Sequence, residues 1–373
     1  MTTKPIGLYI HIPFCVKKCE YCDFCSFPIK ETEWKNHYIN RLCEEIREYK
    51  KHALAVDSIF FGGGTPSLLS FDEIDKIFDS VNSTFNVLDN AEITFEVNPG
   101  TVSKEKLCYI ASKGVNRISI GLQSIHDNEM KILGRIHNYS DFLNAYHWSR
   151  DAGSNNINVD LMYGIPTQTE KSLMQTLDAV TSLNPEHISL YGLILEEGTP
   201  FFDKQFDLPL PELDEECDMY DMAISFLKER GYSHYEISNY SYKGFECKHN
   251  LKYWHCDEYV GVGVAAYSYF DKCRYGNSRD IYEYLSGDKT KCDREKIEDV
   301  NSRAYDYVML RLRLAEGFSL KEYQNLFGYN FTKGREDILG RLSKAELLTI
   351  SNDNLSLTEK GFYVSNSILT ELI

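Results

Sequence analysis

The residues best suited to chemistry are three cysteines within eight positions, Cys15-Val-Lys-Lys-Cys19-Glu-Tyr-Cys22. They follow a short apolar run, and on a loop of that kind three thiolates can converge on one soft metal centre. Structural zinc ordinarily takes four protein ligands, whereas an iron–sulfur cubane held by three cysteines keeps one iron free for a substrate or cofactor. Cys25 stands three residues further on, and its spacing leaves three roles open: a fourth ligand, a haem or second-metal thiol, or a passive neighbour. The other cysteines, among them Cys43, Cys108 and Cys217, have no ligand-like spacing. Further polar groups sit at or near the ends of apolar runs. Phe60-Phe61-Gly62-Gly63-Gly64-Thr65-Pro66-Ser67 is a turn whose glycines let backbone groups approach a ligand closely. Glu96, Gln123 and Asp160 close or nearly close three later runs, and Arg135 offers a guanidinium suited to a carboxylate. Each alone also suits a cap, a satisfied buried polar group or a solvated surface; together they read as a site.

The elements that must position these groups alternate. Strand candidates are Gly7–Ile12, Ser58–Phe61, Ile93–Val97, Arg117–Gly121, Asn156–Met162 and His187–Leu195. Between them run the helical patterns Glu31–Tyr49, Phe71–Phe78, Lys104–Lys113, Tyr139–Asp151 and Glu170–Leu183. Repeated βα units predict a parallel sheet with buried strands, closed or partly closed like a (β/α) barrel, and such barrels carry chemistry at the C-terminal ends of their strands. After Gly198 a Pro-punctuated stretch leads to a helix over Glu212–Arg230, then to aromatic strand-like segments around His234–Tyr240 and Tyr259–Phe270. From about Asp299 helices precede a hairpin over Leu347–Leu357, turning at Asn352-Asp353-Asn354, a winged-helix outline. The predicted division is 1–200 for the barrel, 201–298 for an extension of it, and 299–373 for the winged unit.

Composition bounds the function. At 373 residues the chain suits two domains or a barrel with an appendage, and 43% hydrophobic residues place it among globular chains. A formal net charge of −16 opposes binding to phosphate backbones or anionic lipid. The helix predicted over Thr332–Leu347 mixes Lys333, Arg335 and Arg341 with Glu336, Asp337 and Glu346, so a DNA-binding role for the winged unit is a minor reading. The opening MTTKPIGLYIHIPF lacks the marks of a signal peptide and no run of about 20 apolar residues occurs. The expected setting is a reducing cytoplasm, where clustered thiols hold metal rather than form disulfides.

The spacing C-x-x-x-C-x-x-C after an N-terminal strand resembles that of the radical S-adenosylmethionine (SAM) superfamily. Within it, the chain is similar to the group of oxygen-independent coproporphyrinogen III oxidase and its haem-chaperone relatives of the HemW type. The likeness runs through Tyr9-Ile-His11-Ile-Pro-Phe-Cys15, the glycine turn, Thr-Phe-Glu96-Val-Asn-Pro, Gly-Leu-Gln123-Ser, Asp160-Leu-Met-Tyr-Gly and His234-Tyr-Glu236-Ile-Ser-Asn, and on to Leu312-Arg-Leu-Ala-Glu316-Gly317. The resemblance implies an α/β fold: an incomplete (β/α)6 radical SAM barrel with a C-terminal α+β, winged-helix-like HemN-type domain. It implies a 4Fe–4S cluster on Cys15, Cys19 and Cys22. It further implies SAM contacts at Tyr9, Gly63, Gly64, Thr65, Glu96, Gln123, Arg135 and Asp160, with Tyr21, Ile194 and Tyr267 at looser matches.

Three features favour the chaperone branch. The oxidase carries a further cysteine two residues after the third, where this chain has Phe24, and a longer arm before the cluster, where this chain has 14 residues. His249-Asn250-Leu-Lys-Tyr253-Trp254 matches a motif of the chaperones and makes His249 a haem candidate, with an aromatic-core histidine as the alternative. Tyr267 stands where the chaperones often have histidine, and a phenolate also ligates haem iron. The leading expectation is a haem-binding protein that transfers haem to acceptors such as respiratory proteins, without nucleic acid or stable membrane insertion and with room for a homodimer. The alternative is the oxidase itself, which converts coproporphyrinogen III to protoporphyrinogen IX through a 5'-deoxyadenosyl radical. Between them lies a radical SAM enzyme acting on haem.

Overall fold

The computed structural model describes residues 4–31, 33–287, 291–296 and 299–373. Strand β1 (Ile6–Ile12) runs into the cysteine loop, whose two ends are tied by a short parallel pair, β2 (Phe14–Cys15) and β3 (Phe27–Pro28). Strands β4 (Ala55–Gly63), β5 (Asn86–Val97), β6 (Arg117–Gln123), β7 (Ile157–Tyr163) and β8 (His187–Gly192) then line up beside β1 in chain order, every neighbour parallel. Helices α1 (Lys35–Glu48), α2 (Phe71–Thr84), α3 (Lys104–Ser112), α4 (Asp127–Ile132), α5 (Tyr139–Asp151) and α6 (Glu170–Thr181) fill the crossovers.

The strands form because their Ile, Val, Leu and Phe side chains are covered on the helix-facing side: Leu8, Ile10 and Ile12 of β1 and Val159 and Leu161 of β7 have no exposed surface. Each such burial contributes about 1.5–3 kcal/mol. Helix α2 shows how local and tertiary signals agree. The Ser70 hydroxyl accepts from the Glu73 N–H at 3.3 Å while the Glu73 carboxylate accepts from the Ser70 N–H at 2.7 Å. One apolar stripe, Ile74, Ile77, Phe78 and Val81, then faces the sheet.

The sheet continues past the six strands at both edges. The chain passes through α7 (Pro200–Asp203) and α8 (Leu213–Glu229) to β9 (Ser233–Glu236) and β10 (Asn239–Ser241), and β10 pairs antiparallel with β8. After α9 (Lys248–Trp254), β11 (Tyr259–Val262) adds parallel to β1. Strands β12 (Tyr267–Phe270), β13 (Cys273–Asn277) and β14 (Lys291–Lys296) extend that edge, with α10 (Ile281–Ser286) before β14. Among the described residues β9 and β14 end the twelve-stranded sheet and do not pair with each other, so the barrel stays open. The segment after the six strands shares the barrel's core, to which α8 gives Met219, Ile224 and Leu227 and α10 gives Ile281 and Tyr284.

The last unit has its own core. Helix α11 (Val300–Arg311), β15 (Phe318–Ser319), α12 (Leu320–Phe327), α13 (Glu336–Lys344), the hairpin β16 (Leu348–Ser351) and β17 (Asn354–Leu357), then α14 (Glu359–Tyr363) and α15 (Ser365–Leu372) close around Tyr323, Phe331, Leu355 and Phe362. Backbone bonds fasten it to the barrel: Ile237 N–H to the Arg313 carbonyl at 3.1 Å and Ala315 N–H to the Tyr235 carbonyl at 3.0 Å.

Some boundaries differ from the sequence reading. The first helix begins at Lys35 rather than Glu31, because the Trp34 ring is wedged against Phe14 and Phe27 just before it. The helix expected over Thr332–Leu347 begins only at Glu336, since Gly334 is left-handed at φ 82°. The hairpin turns at Asn352 and Asp353, both left-handed, as a two-residue turn between twisted strands requires.

Candidate cluster and cofactor site

A cavity of about 360 Å³ opens at the C-terminal ends of the parallel strands, and the thiols of Cys15, Cys19 and Cys22 all line it. Polar side chains reach these sulfurs: Thr65 Oγ1 donates to Cys15 Sγ and Arg135 Nη1 to Cys19 Sγ, each at 3.7 Å. Burial pushes the Cys15 thiol up, and pushes Cys22 up to about 11 although a backbone contact at Phe24 lowers it. Both are therefore protonated until a metal takes the sulfur and expels the proton.

The donor set suits a cluster. Among the described residues no three His, Cys, Asp or Glu side chains close on one point as a single-ion site demands. Three thiols spread around one cavity instead suit a cubane in which separate irons each take one sulfur.

The far wall is built by alternate residues of the strands, whose inward faces repeat every second position. Ser119, Gly121 and Gln123 of β6, and Asn158, Asp160 and Met162 of β7, all line the cavity. Glu96 comes from the end of β5, and the Gly63 N–H donates to its Oε2 at 3.2 Å. Burial, then the nearby Asp160 carboxylate, raises Glu96 to about 8, so the carboxyl awaits a cation before it ionises readily at neutral pH. Asp160 lies in the middle of its strand rather than late, deeper in the barrel. Asn158 Nδ2 donates to its Oδ1 at 2.7 Å and Ser119 Oγ to its Oδ2 at 3.3 Å.

Gln123 ends β6 at φ 75°, a strained left-handed backbone for a non-glycine residue, beside a register shift that aims it inward. Arg135 stands in the loop between α4 and α5 and donates from Nη2 to the Gly121 carbonyl at 2.5 Å. Among the described residues its buried Nε has no partner, which fits a donor kept for a ligand carboxylate. Gly64 is dictated by packing: a Cβ there would lie 2.7 Å from the Phe14 carbonyl oxygen, so the glycine lets the turn close onto the end of β1. Tyr21 and Ile194 also line this cavity.

Three expected site residues lie elsewhere. Tyr9 stacks on Phe60 with ring centroids 6.3 Å apart, and Phe60 rather than Tyr9 reaches the first cavity. The Tyr9 hydroxyl is bonded to His11 Nδ1 at 2.9 Å, and Tyr9 and Tyr267 line a second cavity with Cys25. His249 is 1% exposed, with Nδ1 bonded to Ser58 Oγ at 3.0 Å and Nε2 to the Tyr253 hydroxyl at 2.7 Å. Burial lowers it to about 3. It is a satisfied core histidine here, and neither ring nitrogen is open to an iron. The sequence reading missed Phe60, Ser119, Asn158 and Tyr191, all at this cavity. The alternation of Ser119-Gly121-Gln123 and Asn158-Asp160 along single strands was the available signal.

A partial parallel barrel carrying three such cysteines above its first strand defines a radical SAM protein, a class that uses a 4Fe–4S cluster and SAM. Residues 9–180 match the model of the Radical SAM superfamily and residues 300–364 that of the HemN C-terminal domain. Over 376 residues the chain is 33% identical to the heme chaperone HemW of Lactococcus lactis, covering 100% of this chain and 98% of that one. It is 34% identical to the heme chaperone HemW of Escherichia coli, covering 98% and 97%. The chain belongs to the HemW family. In fold it is similar to coproporphyrinogen III oxidase (HemN) from Escherichia coli, a radical SAM enzyme, with a TM-score of 0.88 at 22% identity over 100% of this chain and 91% of that one. The expected incomplete barrel with a HemN-type C-terminal domain is the fold found. No described helix is long and apolar enough to cross a membrane.

Proposed function

We propose that this protein is a haem chaperone that binds haem, holds a 4Fe–4S cluster on Cys15, Cys19 and Cys22 with SAM beside it, and delivers haem to acceptor proteins such as respiratory enzymes in a reducing cytoplasm. The observation that carries the reading is the full-length likeness to HemW chaperones in a chain that brings Cys15, Cys19 and Cys22 to one cavity. When bound, the cluster and SAM supply one-electron radical chemistry. The chain's own part is binding and orientation. The three thiolates anchor the cluster, with Thr65 and Arg135 hydrogen-bonded to two of the sulfurs. Glu96, held by the Gly63 N–H, receives the cofactor's ammonium, and Arg135 Nε its carboxylate. Asp160 and Gln123 offer polar atoms to the remainder. Phe24, in place of the oxidase's further cysteine, supports the chaperone over the oxidase.

Anaerobic reconstitution followed by three readouts from one sample tests this: haem titration and transfer to an apo-acceptor, SAM cleavage to 5'-deoxyadenosine, and turnover of coproporphyrinogen III. Haem binding and transfer without porphyrinogen turnover is the expected result. Multiple turnovers of coproporphyrinogen III would replace the reading with the oxidase.

A further inference from the structure

A second cavity, of about 370 Å³, lies beside the first, and Asp23 and Phe24 of the cysteine loop line both. We propose that this second cavity receives a flat, carboxylate-bearing metallomacrocycle, with Cys25 sulfur as the metal ligand and Arg279 as the carboxylate partner. The inference rests on the haem-chaperone reading and gives its cargo a place separate from the cluster cavity.

The walls suit a flat conjugated ring. Tyr253 and Tyr259 meet edge to face with centroids 4.5 Å apart, and Tyr267, 45% exposed, offers a third phenol ring. Gly276 lies opposite Tyr267 on β13, and a Cβ there would come within 2.9 Å of the Tyr267 ring. The missing side chain is what lets that ring lie against the sheet. Aromatic walls of this kind bind an apolar, π-rich surface and disfavour a strongly hydrated anion such as phosphate.

The polar groups are few and specific. Cys25 lines this cavity and not the one lined by Cys15, Cys19 and Cys22, and its Sγ donates to the Arg279 carbonyl at 3.5 Å, a weak bond that a metal would replace. Its backbone is held by a chain of two bonds: the Tyr9 hydroxyl to His11 Nδ1 at 2.9 Å, then His11 Nε2 to the Cys25 carbonyl at 2.8 Å. That chain gives Tyr9 and His11 a positioning role at this cavity. Arg279 is exposed at the cavity, where its Nη2 donates to the Asp23 carbonyl at 3.3 Å, and among the described residues no carboxylate is paired with it. An unneutralised guanidinium in a chain of net charge −16 is a local exception to an adverse field. A soft sulfur selects a transition metal over a hard cation. Binding forms one iron–sulfur bond, and the thiol proton passes to solvent with no change in oxidation state. The cavity is open on one side and too small to enclose a whole tetrapyrrole, so one edge of the cargo stays accessible for transfer.

The test is titration of the cluster-loaded protein with ferric haem, with and without saturating SAM, for the wild type, Cys25→Ser and Arg279→Gln. Haem affinity should be unchanged by SAM. Cys25→Ser should lose the absorption and EPR signature of sulfur ligation while keeping its cluster iron. Arg279→Gln, a surface change, should weaken binding about tenfold, as loss of one charge-assisted contact does. Displacement of haem by SAM, or wild-type affinity and spectra in both variants, would overturn this placement and leave the chaperone reading standing. Absence of haem binding by the wild type would instead remove the chaperone reading, and this placement with it.

Discussion

At the scale of single residues, the cysteine loop sorts its four thiols by the cavity each one lines. Cys15, Cys19 and Cys22 line one cavity and Cys25 the other. Substituting any of the first three by alanine should abolish the cluster, whereas Cys25→Ala should retain it, as iron and sulfide analysis of anaerobically reconstituted protein will show. Glu96 carries a second residue-level consequence. Its carboxyl titrates near 8 in the fold against about 4.5 for an ordinary glutamate, raised by burial and then by Asp160. A raised carboxyl contributes stability that is complete below the unfolded value and lost as pH climbs through the folded one. The SAM-free protein should therefore lose stability between pH about 4.5 and about 8. Glu96→Gln should remove that share of the slope in Tm against pH and should weaken SAM binding at the same time.

At the scale of elements, the six parallel strands were legible because buried strands are short β-branched and apolar runs between helical periods, and the three cysteines were legible because their spacing is local. Three things were not. The extension β11 to β14 joins the barrel through the parallel pairing of β11 with β1, far apart in the chain, which no local period encodes. Tyr9 and Tyr267 were expected as cofactor contacts from the family resemblance, but both line the adjacent cavity. His249 looked like a ligand because a histidine beside two aromatic residues has the right type, and only the fold shows both of its nitrogens engaged. Local signals still carry weight where they are complete. Ser70→Ala should break the capping box of α2 and lower stability by about 1 kcal/mol, read by urea denaturation, without altering iron content.

At the scale of the whole molecule, the C-terminal unit meets the barrel at a buried acid. Glu236 is 1% exposed, bridges to Leu314, and titrates near 7, raised by burial although Asn239 opposes the shift. Its share of stability should fade as pH rises from about 4.5 to about 7 and then level off, while that of Glu96 continues to fall to about 8. Glu236→Gln should flatten only the lower part of the curve, which calorimetry between pH 5 and pH 8.5 will resolve as a change at the junction of the two units. The overall charge acts at longer range. With a net −16, an anionic tetrapyrrole is repelled on approach, so stopped-flow association with haem should quicken as salt rises from about 0.01 to about 0.15 M and the screening length shrinks from about 30 to about 8 Å.

The parallel pairing of Phe14 with Phe27 and of Cys15 with Pro28 ties the two ends of the cysteine loop to each other by backbone bonds. The barrel core is built from apolar side chains of its strands and helices. A small zinc module unravels when its metal leaves, because the metal is its core. This chain should instead behave as a durable vessel with a replaceable filling: oxidative stripping of the cluster should leave the far-UV circular dichroism of the folded barrel in place, ready to be refilled.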